Sequence, residues 1–440
     1  MTNGGIVNQS RNKVVLGAVG DIDLSTSAVR PMQTTGVAWP FEKVSDHLRK
    51  ADVLFGNFES VILPPDYPEK EIGASAMASK FDSAPGLRTA GFDFLSLANN
   101  HRLDGGIAGM FHTQEALNRQ GIATGGIGRT QEEARKLKTV KKNGFILGFL
   151  CYSKDSRYVL SSKGPCYAFY DEETVIEDIR ANKGRVDFLI LSIHADIEFA
   201  RTPSVPRRDA FRRFAAEGAD VILAHHPHVP QGIELVDGSL IAYSLGNFVF
   251  PAHSCSYMKS HAPETAYSYL LLADLGRGGV KSFRRIPFVI DTYPEERPRP
   301  MKEHEQEELE VYLKRLDSMV ADDKIVMENW QRTAMQQFDS SLENMRRMDR
   351  RELLEYELGL LLWGGASRDW VREVVKVIQG NWERQRTRED LHHPPLYGVM
   401  QSIQTTDDSR LLGRILRKGY RIAPLSIRRY VRGILEEVLK

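Results

Sequence analysis

The sequence predicts an α/β layered fold over residues 11–295, followed by an all-α appendage over residues 301–440. Two observations predict the first part. Short β-branched runs alternate with helical patterns, which is the signature of helices layered on a largely buried sheet, and nearly every run ends in a polar residue. A third predicts the appendage: after Met301 the strand-like runs vanish, and apolar residues recur at i, i+3, i+4 spacing within long charged stretches.

The strand-like runs are Lys13 to Val19, Asp52 to Phe58, Phe92 to Ala98, Gly144 to Tyr152, Asp187 to His194, Ala219 to His226 and Ser239 to Phe248. Helical patterns fall between them at Ile107 to Gln120, Asp171 to Asn182 and Arg207 to Glu217, each with a glycine near its C-terminal end. Two more strand-like runs, SYLLLADL and FRRIPFVI, precede the stretch Pro294 to Pro300, whose prolines and charges mark a domain boundary. The final segment, from Arg410 onward, is basic and amphipathic, a pattern that suits a helix packed on its own protein, a membrane surface or a partner helix.

Composition narrows the class of function. The 440 residues hold 59 Lys plus Arg against 58 Asp plus Glu, so no overall field draws the chain to nucleic acid or an anionic membrane. Three cysteines, Cys151, Cys166 and Cys255, lack metal-ligand spacing and form no disulfide framework, which fits a reducing compartment. The N-terminal residues carry no apolar signal region, and no later run approaches the roughly 20 apolar residues that span a bilayer. The expectation is a cytoplasmic protein without a transmembrane segment, with peripheral contact at a membrane left open.

The chemistry lies at the strand ends. Asp21 in GDID, Glu59 in GNFES, Asn100 and His101 in ANNHRLDGG, His194 in SIHAD, and His226 and His228 in HHPH each follow a separate strand-like run or share one. Alone, Asp21 reads as a turn or capping residue, Glu59 as a solvated charge and His194 as a core histidine. Together they read differently, because ligands gather outside the carboxyl ends of parallel strands. Carboxylate, amide oxygen and imidazole donors in one set, without thiolates, suit two divalent ions such as Mn, Zn, Fe or Mg, and argue against a structural zinc site.

Some residues keep two readings. In HHPHV, the i, i+2 spacing across Pro227 lets His226 and His228 face one side of an extended segment, with His225 on the other as a supporting residue. Asp104 either orients His101 or caps the helix that starts near Gly106. GNF occurs twice, and its second Asn247 is either a site residue or a turn former. Asp23, two residues after Asp21, either joins the site or plays no part in it.

Read in order, GDID, GNFES, SLANNHRLDGG, LSIHAD, GADVILAHHPHVPQGIE and IAYSLGNFVF resemble the motif series of the CapA, or poly-gamma-glutamate capsule-synthesis, family over roughly residues 13–255. That family is similar to the calcineurin-like metallophosphoesterases. The resemblance implies a β-sandwich flanked by helices, with Asp21 and His228 on a first metal, Asn100, His194 and His226 on a second, and Glu59 between them. It also implies His101 as a general acid toward the leaving group, and a metal-dependent hydrolase of a phosphoester or related bond linked to capsule or extracellular polymer biosynthesis. The alternative is a non-catalytic metal- or polymer-binding component. The partners implied are an anionic substrate or capsular polymer, and other polymer-synthesis proteins met through the C-terminal helices. Relatives often read His-Trp-Gly where this chain has His194-Ala195-Asp196, and Asp-x-His where it has Asp21-Ile22-Asp23.

Overall fold

The computed structural model describes residues 13–73, 75–154 and 166–333. The chain first lays down β1 (Lys13–Ile22), β2 (Val53–Phe58), β3 (Phe94–Ser96) and β4 (Ala123–Gly125), all parallel to one another. It then builds a second sheet from β5 (Lys138–Lys142), β6 (Phe145–Ser153), β7 (Phe188–His194), β8 (Val221–His225), β9 (Ile233–Val236) and β10 (Ser239–Ala242). It returns to the first with β11 (Asn247–Val249), β12 (Tyr267–Gly276), β13 (Gly279–Ile290) and β14 (Pro298–Pro300).

The first sheet has eight strands in the order β14-β13-β12-β1-β2-β3-β4, with β11 also on β1. The second has six in the order β9-β10-β8-β7-β6-β5, its inner strands parallel and its two edges antiparallel. The sheets pack face to face. Val14, Leu16, Ala18, Val53 and Phe55 of one meet Leu147, Phe149, Ile190, Val221 and Leu223 of the other in a single buried core. The opposite faces are covered by helices: α1 (Ala84–Ala90) and α2 (Gly106–Arg119) over the first sheet, α3 (Glu172–Asn182) and α4 (Val205–Glu217) over the second. Burial on both faces explains why the central strands read as unbroken apolar runs rather than alternating ones. The four layers are the helix-flanked β-sandwich that the resemblance implies.

Two expectations change. The run Ser239 to Phe248 is not one strand, because the chain leaves the second sheet after Ala242 and enters the first at Asn247. Gly246, at φ +66, makes the crossing. Here the backbones come so close that a Cβ on Gly20 would meet the Gly246 carbonyl oxygen at 1.9 Å, while Asp21 N donates to that oxygen at 2.9 Å.

The compact unit also runs through Trp330, past the Pro294 to Pro300 stretch where the sequence suggests a boundary. Within that stretch β14 pairs with β13 as the edge strand of the first sheet, a place where proline is tolerated. Helix α5 (Glu303–Ala321) then buries Leu309, Leu313 and Leu316 in the inter-sheet core. Asp317 ties it down by accepting from Ile233 N at 2.8 Å and from Arg285 at 2.5 and 3.0 Å. Residues 323–333 are also helical, and the helices expected beyond residue 333, including the basic segment from Arg410, lie outside the described residues. No helix among the described residues is long and apolar enough to cross a membrane.

Because Leu313 is fully buried between the sheets and α5, Leu313→Ala is expected to lower the stability of the whole sandwich by about 2–5 kcal/mol in denaturant unfolding. An unchanged midpoint would show α5 to be a separate module.

Candidate metal centre

The parallel strands of both sheets end on the same side of the molecule, at one seam. Asp21 is the penultimate residue of β1, Glu59 follows the last residue of β2, and Asn100 and His101 lie in the turn after β3. His194 ends β7, and His226 and His228 follow β8. Asp21 is in register with Asn57 on β2 and with Asn247 on β11.

The donors form two groups that share a residue. Asp21, Glu59 and His228 offer one ligand atom each within 4.8 Å of one another, and Glu59, His194 and His226 do the same. Asn100 joins the second group, its Oδ1 2.8 Å from His194 Nε2, and Glu59 Oε1 is 3.6 Å from the same nitrogen. All six ligand candidates read from the sequence are thus in one place. His101 lies beside them with its Nδ1 2.6 Å from Asp104 Oδ2.

The open readings resolve geometrically. Asp104 serves His101 and accepts from Met77 N at 2.8 Å, whereas Gly105 occupies the cap of α2 with no side-chain bond to the helix. Asn247 packs on His228: its Oδ1 is 2.9 Å from His228 Nδ1, and its Nδ2 donates to the His228 carbonyl at 3.2 Å. Asp23 turns away into its own loop, accepting from Ser25 N at 2.7 Å and from the hydroxyls of Ser25 and Thr26.

The HHPH segment is not extended. The strand ends at His225, and His226 and His228 take φ +96 and +57, so a left-handed turn rather than strand alternation brings their rings to 6.1 Å. His225 does not point away. Its Nδ1 lies 3.2 Å from Asp21 Oδ1 and its ring leans on Phe55, so it supports the carboxylate from behind.

Two residues went unread. Asn57 donates to Asp21 Oδ1 at 2.8 Å and lies 3.2 Å from His194 Nδ1, linking the two donor groups. The repeated GNF was its signal. Glu198 forms a third group with His226 and His228, and nothing in the spacing of its loop marks it.

Charge and burial pull in opposite directions here. Burial would raise the Asp21 carboxyl, yet the hydrogen bond and charge of His225, with the charges of His194 and His228, hold it well below the usual range. Glu59 goes the other way, pushed well above that range first by burial and then by the Asp21 charge. Burial likewise lowers His194 well below the ordinary imidazole value and brings His226 down to about 4, so both present neutral lone pairs at pH 7. The buried Nδ1 of His226 has no hydrogen-bond partner among the described residues. A shared buried carboxylate, neutral imidazoles and an unpartnered ring nitrogen are what a pair of divalent ions would satisfy, so the residues present fit such a group.

A helix-flanked β-sandwich with oxygen and imidazole donors gathered at its strand ends is an arrangement compatible with metal binding. The chain belongs to the bacterial capsule synthesis protein PGA_cap family, whose pattern matches residues 15–252. It is similar to the capsule biosynthesis protein CapA of Bacillus anthracis, 28% identical over 56% of this chain and 62% of that protein. It is likewise similar to the PGA biosynthesis protein CapA of Bacillus subtilis (strain 168), 31% identical over 53% of this chain and 62% of that protein. The match therefore spans about three-fifths of the length of these relatives. Among solved structures, the 5'-nucleotidase of Candida albicans SC5314 is a distant likeness, with TM-score 0.35 and 12% identity over 74% of this chain and 58% of that one.

The depressed His226 fixes the sign of a pH effect. With a folded value near 4 against 6.5 for the free group, the unfolded chain takes up the proton first, so the contribution of His226 is lost as pH falls from about 6.5 to about 4. In chelator-treated protein, His226→Asn should flatten the fall in unfolding free energy across that window by on the order of 3 kcal/mol. An unaltered slope would mean that His226 titrates normally.

Proposed function

We propose that this chain is a metal-dependent hydrolase of a phosphoester or related bond, acting in capsule or poly-gamma-glutamate-type polymer biosynthesis. The observation that carries the reading is Glu59, shared between the Asp21–His228 and His194–His226 groups beside the His101–Asp104 pair. Asp21, Glu59, Asn100, His194, His226 and His228 would hold two divalent ions. Such ions supply Lewis acidity toward phosphoryl oxygens and make water acidic enough to act as a nucleophile near neutral pH.

The chain's own residues do the rest. Asp104 accepts a hydrogen bond from His101 Nδ1–H, which fixes the ring, and the imidazolium form then carries the Nε2 proton that it gives to the departing alkoxide oxygen, leaving the neutral ring with its proton on Nδ1. Asn57 and Asn247 brace Asp21, His194 and His228 from within the first sheet, so the donors keep their places as substrate enters. Asp21, Glu59 and His194 are fully buried, which keeps bulk water from competing with the ordered donors.

The second reading, a binding component without turnover, draws on names such as the probable polyglutamine synthesis accessory protein Rv0574c of Mycobacterium tuberculosis, a relative 26% identical over 48% of this chain. Turnover separates the two readings. With Mn²⁺ present, the wild type should hydrolyse an aryl phosphomonoester or phosphodiester. His101→Ala should keep its metal and lose roughly 10²–10⁴-fold in rate, whereas His228→Ala should lose metal and rate together. Metal without turnover in the wild type would favour the binding component, and full turnover in His228→Ala would remove the assigned site.

A further inference from the structure

We propose that Glu198 is a third carboxylate ligand of this same centre, on its outer side, and that Tyr257 is the residue that positions it. The inference rests on the two-ion reading above. Glu198 is four residues beyond His194, in the loop between β7 and α4, and its carboxylate lies within 4.8 Å of ring nitrogens of both His226 and His228. Those two imidazoles belong to different donor groups, so Glu198 reaches a donor of each. Unlike Glu59 and Asp21, it is only half-buried.

The loop is built to hold it there. Phe199 N donates to the Pro227 carbonyl at 2.8 Å, joining the loop to the HHPH turn, and Ala195 N donates to the His225 carbonyl at 3.1 Å. Gln231 Nε2 donates to the Ala200 carbonyl at 2.8 Å, and Asp196 Oδ2 accepts from Ser204 N at 2.9 Å. Asp196 and Phe199 both take positive φ, +103 and +60, so the backbone on either side of Glu198 sits in conformations that only such anchoring sustains. From outside, the Tyr257 hydroxyl donates to Glu198 Oε2, and the Tyr257 ring meets Phe199 edge-on at 4.9 Å. His261 stacks on Phe199 itself, with ring centroids 3.7 Å apart and planes at 6°. A carboxylate oxygen and two imidazole nitrogens within 4.8 Å of one another are all donors to a divalent cation, which makes the three a ligand set.

The test uses Mn²⁺ alone as the probe, titrated into the full-length chain by calorimetry, with the visible spectrum of the Co²⁺-loaded protein as a second readout. The wild type should bind two ions. Glu198→Gln should weaken one of them about 10–100-fold and change the Co²⁺ spectrum, and Tyr257→Phe should weaken the same ion by less. Tyr257 is half exposed, so its variant stays informative even where Glu198→Gln folds poorly. Two ions at wild-type affinity with an unchanged spectrum in both variants would overturn the assignment of Glu198. A wild type that binds no Mn²⁺ would overturn the two-ion reading itself, a result distinct from the first.

Discussion

Two carboxylates are buried side by side where the two sheets meet, and the architecture of the site depends on how their charge is managed. Asp21 stays ionised because His225, His194 and His228 surround it, and its charge in turn drives Glu59 toward its protonated form. Isolated charges in such a place cost several kcal/mol each. Keeping one charge and forcing the other carboxyl toward neutrality, beside buried imidazoles, leaves a demand for positive charge that divalent cations would meet. The strained turn at His226 and His228 belongs to the same account, since only a left-handed backbone brings both rings to the seam.

The sandwich meets that demand through topology. Parallel strands in each sheet deliver their carboxyl ends to one side, and packing two such sheets face to face brings both sets of ends together. The exchange of partners along β1 serves the same purpose. Its first residues pair with β12, and from Asp21 onward β11 takes over and places Asn247 against His228. The crossing at Gly246, packed on Gly20, permits this substitution. Helix α5 closes the far part of the inter-sheet core and belongs to the sandwich, although it follows a proline-rich stretch.

Much of this was legible in the sequence because it follows from local pattern. Buried parallel strands are apolar throughout, so β1, β2, β6, β7 and β8 announce themselves, and polar residues at the ends of β1, β2, β7 and β8 mark ligand candidates. Less legible was whatever depends on contacts between distant segments. Asn57 sits inside an apolar run, and its partners come from β1 and β7. Glu198 acts through a loop whose anchors are backbone bonds to another turn. The split of Ser239 to Phe248 depends on which sheet each half joins, which periodicity does not encode. Proline and charge composition suggested a boundary at Pro294 to Pro300, yet an edge strand accepts proline, and the leucines of α5 find their burial only in the assembled core.

The central claim is that one shared carboxylate joins two donor groups into a single two-ion centre, and metal stoichiometry tests it most directly. Elemental analysis of Mn²⁺-loaded, desalted protein should give two ions per chain for the wild type and a loss at both positions in Glu59→Ala, since each group would lose a donor. One ion, or none, in the wild type would contradict a two-ion centre, and an unchanged pair of ions in Glu59→Ala would contradict the bridging role of Glu59.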